Sequence, residues 1–201
     1  MSLTEILIAI NNDDAKIANQ VKNVIPEIKD AVKYTIRSIK KGGRVFYVGA
    51  GTSGRLGVLD ASEIPPTFSA EDNLFIGLIA GGDIALRNSV EGAEDISQNA
   101  VEDLLAYTLD EKDTLIGISC SGAAAYVISA LNHAKSKNSK TVYLTTNPKP
   151  LLKTKVDVLI NLDTGPEIIT GSTRMKAGTA TKMVLNMIST STMIKVGKVY
   201  N

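Results

Sequence analysis

The sequence predicts an α/β chain: a three-layer αβα sandwich around a five-stranded parallel sheet, preceded by an N-terminal helical arm. Five short runs rich in β-branched and aromatic residues alternate with stretches of helical apolar spacing, as strands joined by helical crossovers do. Right-handed crossovers then place helices on both faces of the sheet. Two of the strands also lead into loops of glycine and hydroxyl residues ahead of helices, the place where ligands of such sheets collect.

Residues 1–41 read as the helical arm and 42–201 as the sheet domain. Asn12 or Asp13 can cap a helix carrying Ile17, Ala18, Val21 and Val24, and Pro26 restarts it through Ile28, Val32, Ile36 and Ile39. The arm's apolar stripe must be covered by the sheet or by another subunit. Strands are expected at 44–48, 74–80, 114–119, 141–145 and 156–162. Helices are expected around Ile96–Leu105, Tyr126–Ala134 and from Ala177 to about Val196. The methionines of that last helix read as core filler.

Composition narrows the function. With 22 basic and 21 acidic side chains the net charge is +1, so no strong field draws the chain to nucleic acid or an acidic membrane. The single cysteine, Cys120, fits a reducing compartment and allows no intramolecular disulfide. The short apolar run near the start is broken by Glu5 and lacks a basic leader, which makes a cytoplasmic setting the expectation. One histidine and no cysteine pair give little support to a metal site, and no organic cofactor is expected.

The first loop, Gly49-Ala-Gly-Thr-Ser-Gly54, can bring backbone amides, hydroxyls and a helix start to an anion. It is neither a Walker loop nor a complete dinucleotide fingerprint. The third strand leads into Ser119-Cys-Ser-Gly122, a second hydroxyl-glycine loop. Two such loops leaving neighbouring strands can surround one phosphate without a lysine. Each alone could be only a tight turn or a capped helix start.

Glu63 follows the first loop by about a helix length, near enough to the pocket mouth to serve as acid or base. Glu91, Glu94 and Asp95 lie after the second strand, either as an acidic first helical turn or as a catalytic partner for Glu63. The stretch 165–178 is polar and glycine-rich; Ser172 and Thr173 can cap the helix that follows, and Arg174 and Lys176 can reach an anion.

Three stretches, GAGTSGRLGVLDASEIPPTF, LIAGGDIALRNSVEGAED and GPEIITGSTRMKAGTATKMVLNMISTSTMIKVGKVY, resemble the SIS (sugar isomerase) family of phosphosugar-binding domains. Within it they are most similar to the bacterial N-acetylmuramic acid 6-phosphate etherases. The resemblance implies a SIS-fold homodimer that acts on a phosphorylated amino sugar. The reaction implied is elimination of the D-lactyl ether followed by hydration. It also implies Glu63 as proton donor and Glu94 as the second catalytic residue. The substrate-binding candidates are Gly51, Thr52, Ser53, Ser119, Ser121, Gly122, Glu167 and Ser172. Family members carry an arginine and a threonine where this chain has Ala123 and Ala124. They also continue past the position of Asn201 with a helical region and have a longer leader. A non-catalytic or regulatory phosphosugar-binding protein is the alternative reading, and an aldose–ketose phosphosugar isomerase is a third.

Overall fold

A computed structural model describes residues 1–199. Three helices lead, α1 (Leu3–Asp14), α2 (Ile17–Lys22) and α3 (Ile25–Lys40). Then follow β1 (Val45–Gly49), α4 (Gly51–Ser62), α5 (Ile64–Phe68), β2 (Phe75–Ile79) and α6 (Ile84–Arg87). A 3₁₀ turn at Ala93–Asp95 precedes α7 (Ser97–Leu105), β3 (Thr114–Ile118), α8 (Ala125–Ser136), β4 (Lys140–Thr145), β5 (Val158–Asn161) and α9 (Lys176–Lys195). The five strands are all parallel, in the order β2-β1-β3-β4-β5. The sheet and its helical layers are those expected from the sequence, with every strand end within two residues of its expected position.

Alternation along the strands divides the core in two. Val45 and Tyr47 of β1, with Ile116, Ile118, Val142 and Leu144, face α3, α4 and α9. Phe46 and Val48, with Leu115 and Tyr143, face α7 and α8. Helix α4 lies unusually close to the sheet because glycines line the contact. A Cβ on Gly77 of β2 would fall 2.5 Å from Val58 Cα, and one on Gly54 would fall 2.6 Å from Ile79.

The amino-terminal stretch divides by its packing. Ile17, Val21, Ile28 and Ala31 of α2 and α3 are buried in the same core as the strands. Thr35 of α3 bonds Thr192 of α9 at 2.6 Å, and Ser38 bonds Thr114 of β3 at 2.7 Å. Helix α1 buries no residue and leaves Leu3, Leu7 and Ile8 more than half exposed. Its start carries a capping box between Ser2 and Glu5. Asp13 does not cap α2; its carboxylate pairs instead with Lys176 Nζ at 2.8 Å, tying α1 to the first turn of α9.

Asp60, near the end of α4, is a buried carboxylate with three donors. Tyr47 OH reaches it at 3.0 Å, Asn186 Nδ2 at 2.6 Å and Ser189 Oγ at 3.2 Å. Burial pushes its carboxyl above the ordinary value, and the hydrogen bonds from Asn186, Tyr47 and Ser189 oppose that. The network locks α4, β1 and α9 together. At the other edge, Asp157 accepts from Thr141 N at 3.0 Å and Lys140 Nζ at 2.6 Å. Burial raises the Asp157 carboxyl, but the donors and charge of Lys140 and Thr141 outweigh it and hold the group below its ordinary value.

Asp60→Ala removes the acceptor shared by three interior donors and is expected to cost about 2–4 kcal/mol of unfolding free energy. Urea denaturation measures it, and a loss within error of zero would show the network to be dispensable. The Asp157 contribution is present above the ordinary carboxylate value and is lost as pH falls through the lowered folded value. The stability gap between wild type and Asp157→Asn should therefore shrink between neutral and strongly acidic pH, as read from urea midpoints across that range.

Candidate active site

Strands β1 and β3 are neighbours, and the register pairs their last residues, Gly49 with Ile118. After β1 the chain enters α4 on one face; after β3 it enters α8 on the other. The crevice between the two departing loops is the switch point where open parallel sheets bind ligands. At Ala50 the backbone is extended (φ −123°, ψ 151°), and α4 begins at once, at Gly51 with φ +53°. Its free N–H groups therefore open onto the crevice.

The two loops touch. Ser53 is buried, and its Oγ lies 3.3 Å from Cys120 Sγ. Cys120 in turn lies 3.5 Å from Thr181 Oγ1 of α9. In the second loop Gly122 adopts φ +72°, and its amide donates to Ser119 O at 3.1 Å. A Cβ there would stand 2.4 Å from Pro150, so glycine is required twice over. Ser121 Oγ accepts from Ala123 N at 3.2 Å, and Asn147 Nδ2 donates to Ser121 O at 2.9 Å.

Between the loops is a cavity of about 100 Å³ lined by Gly51, Thr52, Ser53, Ser119, Ser121 and Glu94. It has room for a small anion rather than a whole sugar. Glu94 and Gly51 also line a neighbouring cavity of about 300 Å³ with Arg55, Ser89 and Glu91. Ser121 and Thr173 lead from the small cavity into a third space of about 460 Å³, bordered by Asn147, Asp163 and Glu167. Sharing these walls, the three form one cleft along the strand ends. Glu94 belongs to the 3₁₀ turn that follows Gly92, whose φ is +73°. That turn projects the carboxylate beside the first loop.

The remaining candidates lie elsewhere. Glu63 is exposed and ends α4. The helix starts at the crevice and runs back along the sheet, so Glu63 is roughly 15 Å of helix rise beyond Ser53. It lines none of the three cavities, and within one chain it does not share a pocket with Glu94. Glu167 lines the third cavity, yet both its oxygens accept from the first amides of α9, Lys176 N at 3.2 Å and Ala177 N at 3.0 Å. It does the capping expected of Ser172 and Thr173. Ser172 is not on the cavity wall, whereas Thr173 borders two of the three spaces. Lys176 is engaged by Asp13 rather than open to an anion, and Arg174 is exposed outside the cavity linings.

Sequence reasoning gave no role to Arg55, Thr181 or the sulfur of Cys120. Arg55 stands two residues after Ser53 near the start of α4, and that proximity was the available signal. Among the described residues no group of three or more His, Cys, Asp or Glu side chains is arranged to hold a metal ion. Nor is any described helix long and apolar enough to cross a membrane.

The family model for the glucokinase regulatory protein N-terminal SIS domain matches residues 27–135, and the SIS domain model matches residues 93–191. An N-acetylmuramic acid 6-phosphate etherase from Bacteroides thetaiotaomicron is 54% identical over 198 residues, covering 98% of this chain and 72% of the relative. A protein of the same name from Caldanaerobacter subterraneus is 52% identical, covering all of this chain and 66% of the relative. The chain thus spans about two thirds to three quarters of the length of these relatives. Among solved structures, a phosphoheptose isomerase from Neisseria gonorrhoeae superposes with a TM-score of 0.72 at 18% identity, covering 95% of this chain and 98% of that one. That likeness speaks for the fold alone. Identity above one half along nearly its whole length, on a SIS-type sheet, makes this chain a member of the N-acetylmuramic acid 6-phosphate etherase family.

Proposed function

We propose that the chain is a carbon–oxygen lyase that cleaves the D-lactyl ether of N-acetylmuramic acid 6-phosphate, giving N-acetylglucosamine 6-phosphate and D-lactate. The observation that carries this reading is the convergence of both hydroxyl loops on one small cavity with Glu94 in its wall. Hydroxyls of Ser53, Ser119 and Ser121, with the amides of α4, form a cradle suited to the 6-phosphate. The open-chain sugar then passes Glu94. Its carbon 2 proton is acidified by the adjacent aldehyde, so a carboxylate can remove it. The electron pair forms the carbon 2–carbon 3 double bond as the carbon 3–oxygen bond breaks. The departing lactate oxygen takes a proton from the second acid, and water then adds at carbon 3.

The second acid is Glu63, supplied by a second copy of the chain in a homodimer. Two features support this. Glu63 is exposed at the far end of α4 from its own cleft, and α1 presents Leu3, Leu7 and Ile8 without cover from its own chain. A cytoplasmic setting fits the unpaired, buried Cys120. A binding-only role is the second reading, favoured by Ala124 in the cavity wall and Ala123 beside it, where neither side chain offers a donor.

Lactate release from N-acetylmuramic acid 6-phosphate tests the proposal directly; tight binding without lactate would select the second reading. Ser53→Ala should weaken binding of sugar 6-phosphates about tenfold, as read by calorimetry, through loss of one hydrogen bond to a charged group. Glu63→Gln and Glu94→Gln should each lower kcat at least about 100-fold. Mixing the two inactive variants with subunit exchange should restore about a quarter of wild-type activity, since half the dimers would then carry one intact shared site. No recovery on mixing would defeat the assignment of Glu63 to the neighbouring copy.

A further inference from the structure

The substrate proposed above carries two anionic groups, and the phosphate cradle accounts for one. The other is the lactyl carboxylate, attached at carbon 3. Among the described residues, Arg55 is the only lysine or arginine lining any of the three joined cavities. It lies at the start of the second turn of α4, half-buried, on the wall of the 300 Å³ space. Its Nε donates to Leu86 O at 3.1 Å and its Nη2 to Asn88 O at 2.9 Å. Two of its five N–H donors are thus engaged, and the other three have no protein partner among the described residues. No described carboxylate forms an ion pair with it, although Glu91 and Glu94 line the same space. The carbonyl contacts hold the guanidinium in place before any ligand arrives, which lowers the ordering cost of binding.

The path of the sugar follows from the shared walls. With phosphate in the small cavity and the reacting carbons beside Glu94, the substituent on carbon 3 can enter the space that Glu94 also borders, the one containing Arg55. Among the described residues the third space offers a carboxylate no cation; Asp163 and Glu167 border it instead. We propose that Arg55 binds the lactyl carboxylate through its free N–H groups and so selects the ether substrate over sugar phosphates lacking that arm. This rests on the etherase reading, which it extends from a reaction to the source of its specificity.

The test measures binding of two sugars by calorimetry in chains carrying Glu94→Gln, so that the ether survives. Adding Arg55→Gln should weaken N-acetylmuramic acid 6-phosphate about 10- to 100-fold, the loss of a charge-assisted pair. Binding of N-acetylglucosamine 6-phosphate, which lacks the lactyl group, should change less than about threefold. Arg55→Lys keeps the charge without the planar fork and should fall between; it carries the comparison if the glutamine variant does not fold. Equal losses for both sugars would mean that Arg55 only props the Leu86–Asn88 segment, and unchanged affinity for both would mean that it does not touch the ligand. Either result overturns the proposal. Lactate release by the unmodified chain is scored separately: its absence removes the etherase reading, whereas the ratio of the two affinities judges Arg55.

Discussion

After β1 the chain turns onto one face of the sheet as α4, and after β3 onto the other as α8, although the two strands are hydrogen-bonded neighbours. That parting of the chain is what the rest of the site depends on. It opens a crevice between loops whose strands are held in fixed register, so Ser53 and Cys120 meet without a ligand between them. A parallel pair whose crossovers left on the same side would cover this space with a helix. The small cavity therefore follows from topology, and its hydroxyl and glycine residues give it the lining that the proposed phosphate site requires.

Helix α9 completes the crevice and is held at both ends. Its first amides are capped by Glu167, and its Lys176 is tied to Asp13 of α1. Further along, Asn186 and Ser189 reach Asp60 of α4, and Thr192 reaches Thr35 of α3. Thr181 touches Cys120 beneath the loops. The long polar stretch before α9 is thus fixed from behind, which positions Thr173 on the cavity wall. Buried hydrogen bonds of this kind stabilise modestly when complete and are costly to break. Their main effect here is to fix where the loops stand.

The sheet was legible because its strands are buried on both faces and read as continuous apolar runs; 45–49 and 114–118 are buried throughout. The two loops were legible as turns for a related reason, since glycine next to hydroxyl residues after a strand marks a tight passage into a helix. What sequence could not supply was distance through space. Glu63 and Glu94 looked like pocket partners because both follow strand ends, but α4 carries Glu63 away from its own cleft. The residues at the start of α9 were similarly opaque. Ser172 and Thr173 have capping side chains, yet Glu167, reaching across nine residues, satisfies the amides better as a charged acceptor. Lys176 looked free until Asp13 was found beside it, 163 positions away.

The phosphate site proposed here, built from hydroxyls and helix amides and with no lysine among the described residues of its walls, would also suit acid–base chemistry nearby. In the proposed reaction, a mobile ammonium beside Glu94 would pair with the carboxylate and compete with its work as a base. Backbone dipoles stabilise a dianion without offering such a partner, because they are fixed in direction by α4 itself. Arg55, the one cation lining the cleft among the described residues, has its Nε and Nη2 anchored to carbonyl oxygens, which restrains it from swinging onto the neighbouring glutamates. Charge in this cleft is thus separated by rigidity: fixed dipoles at the start of α4 for the proposed phosphate, an anchored guanidinium further along the same helix, and Glu94, which forms no ion pair among the described residues, lining the cavities of both.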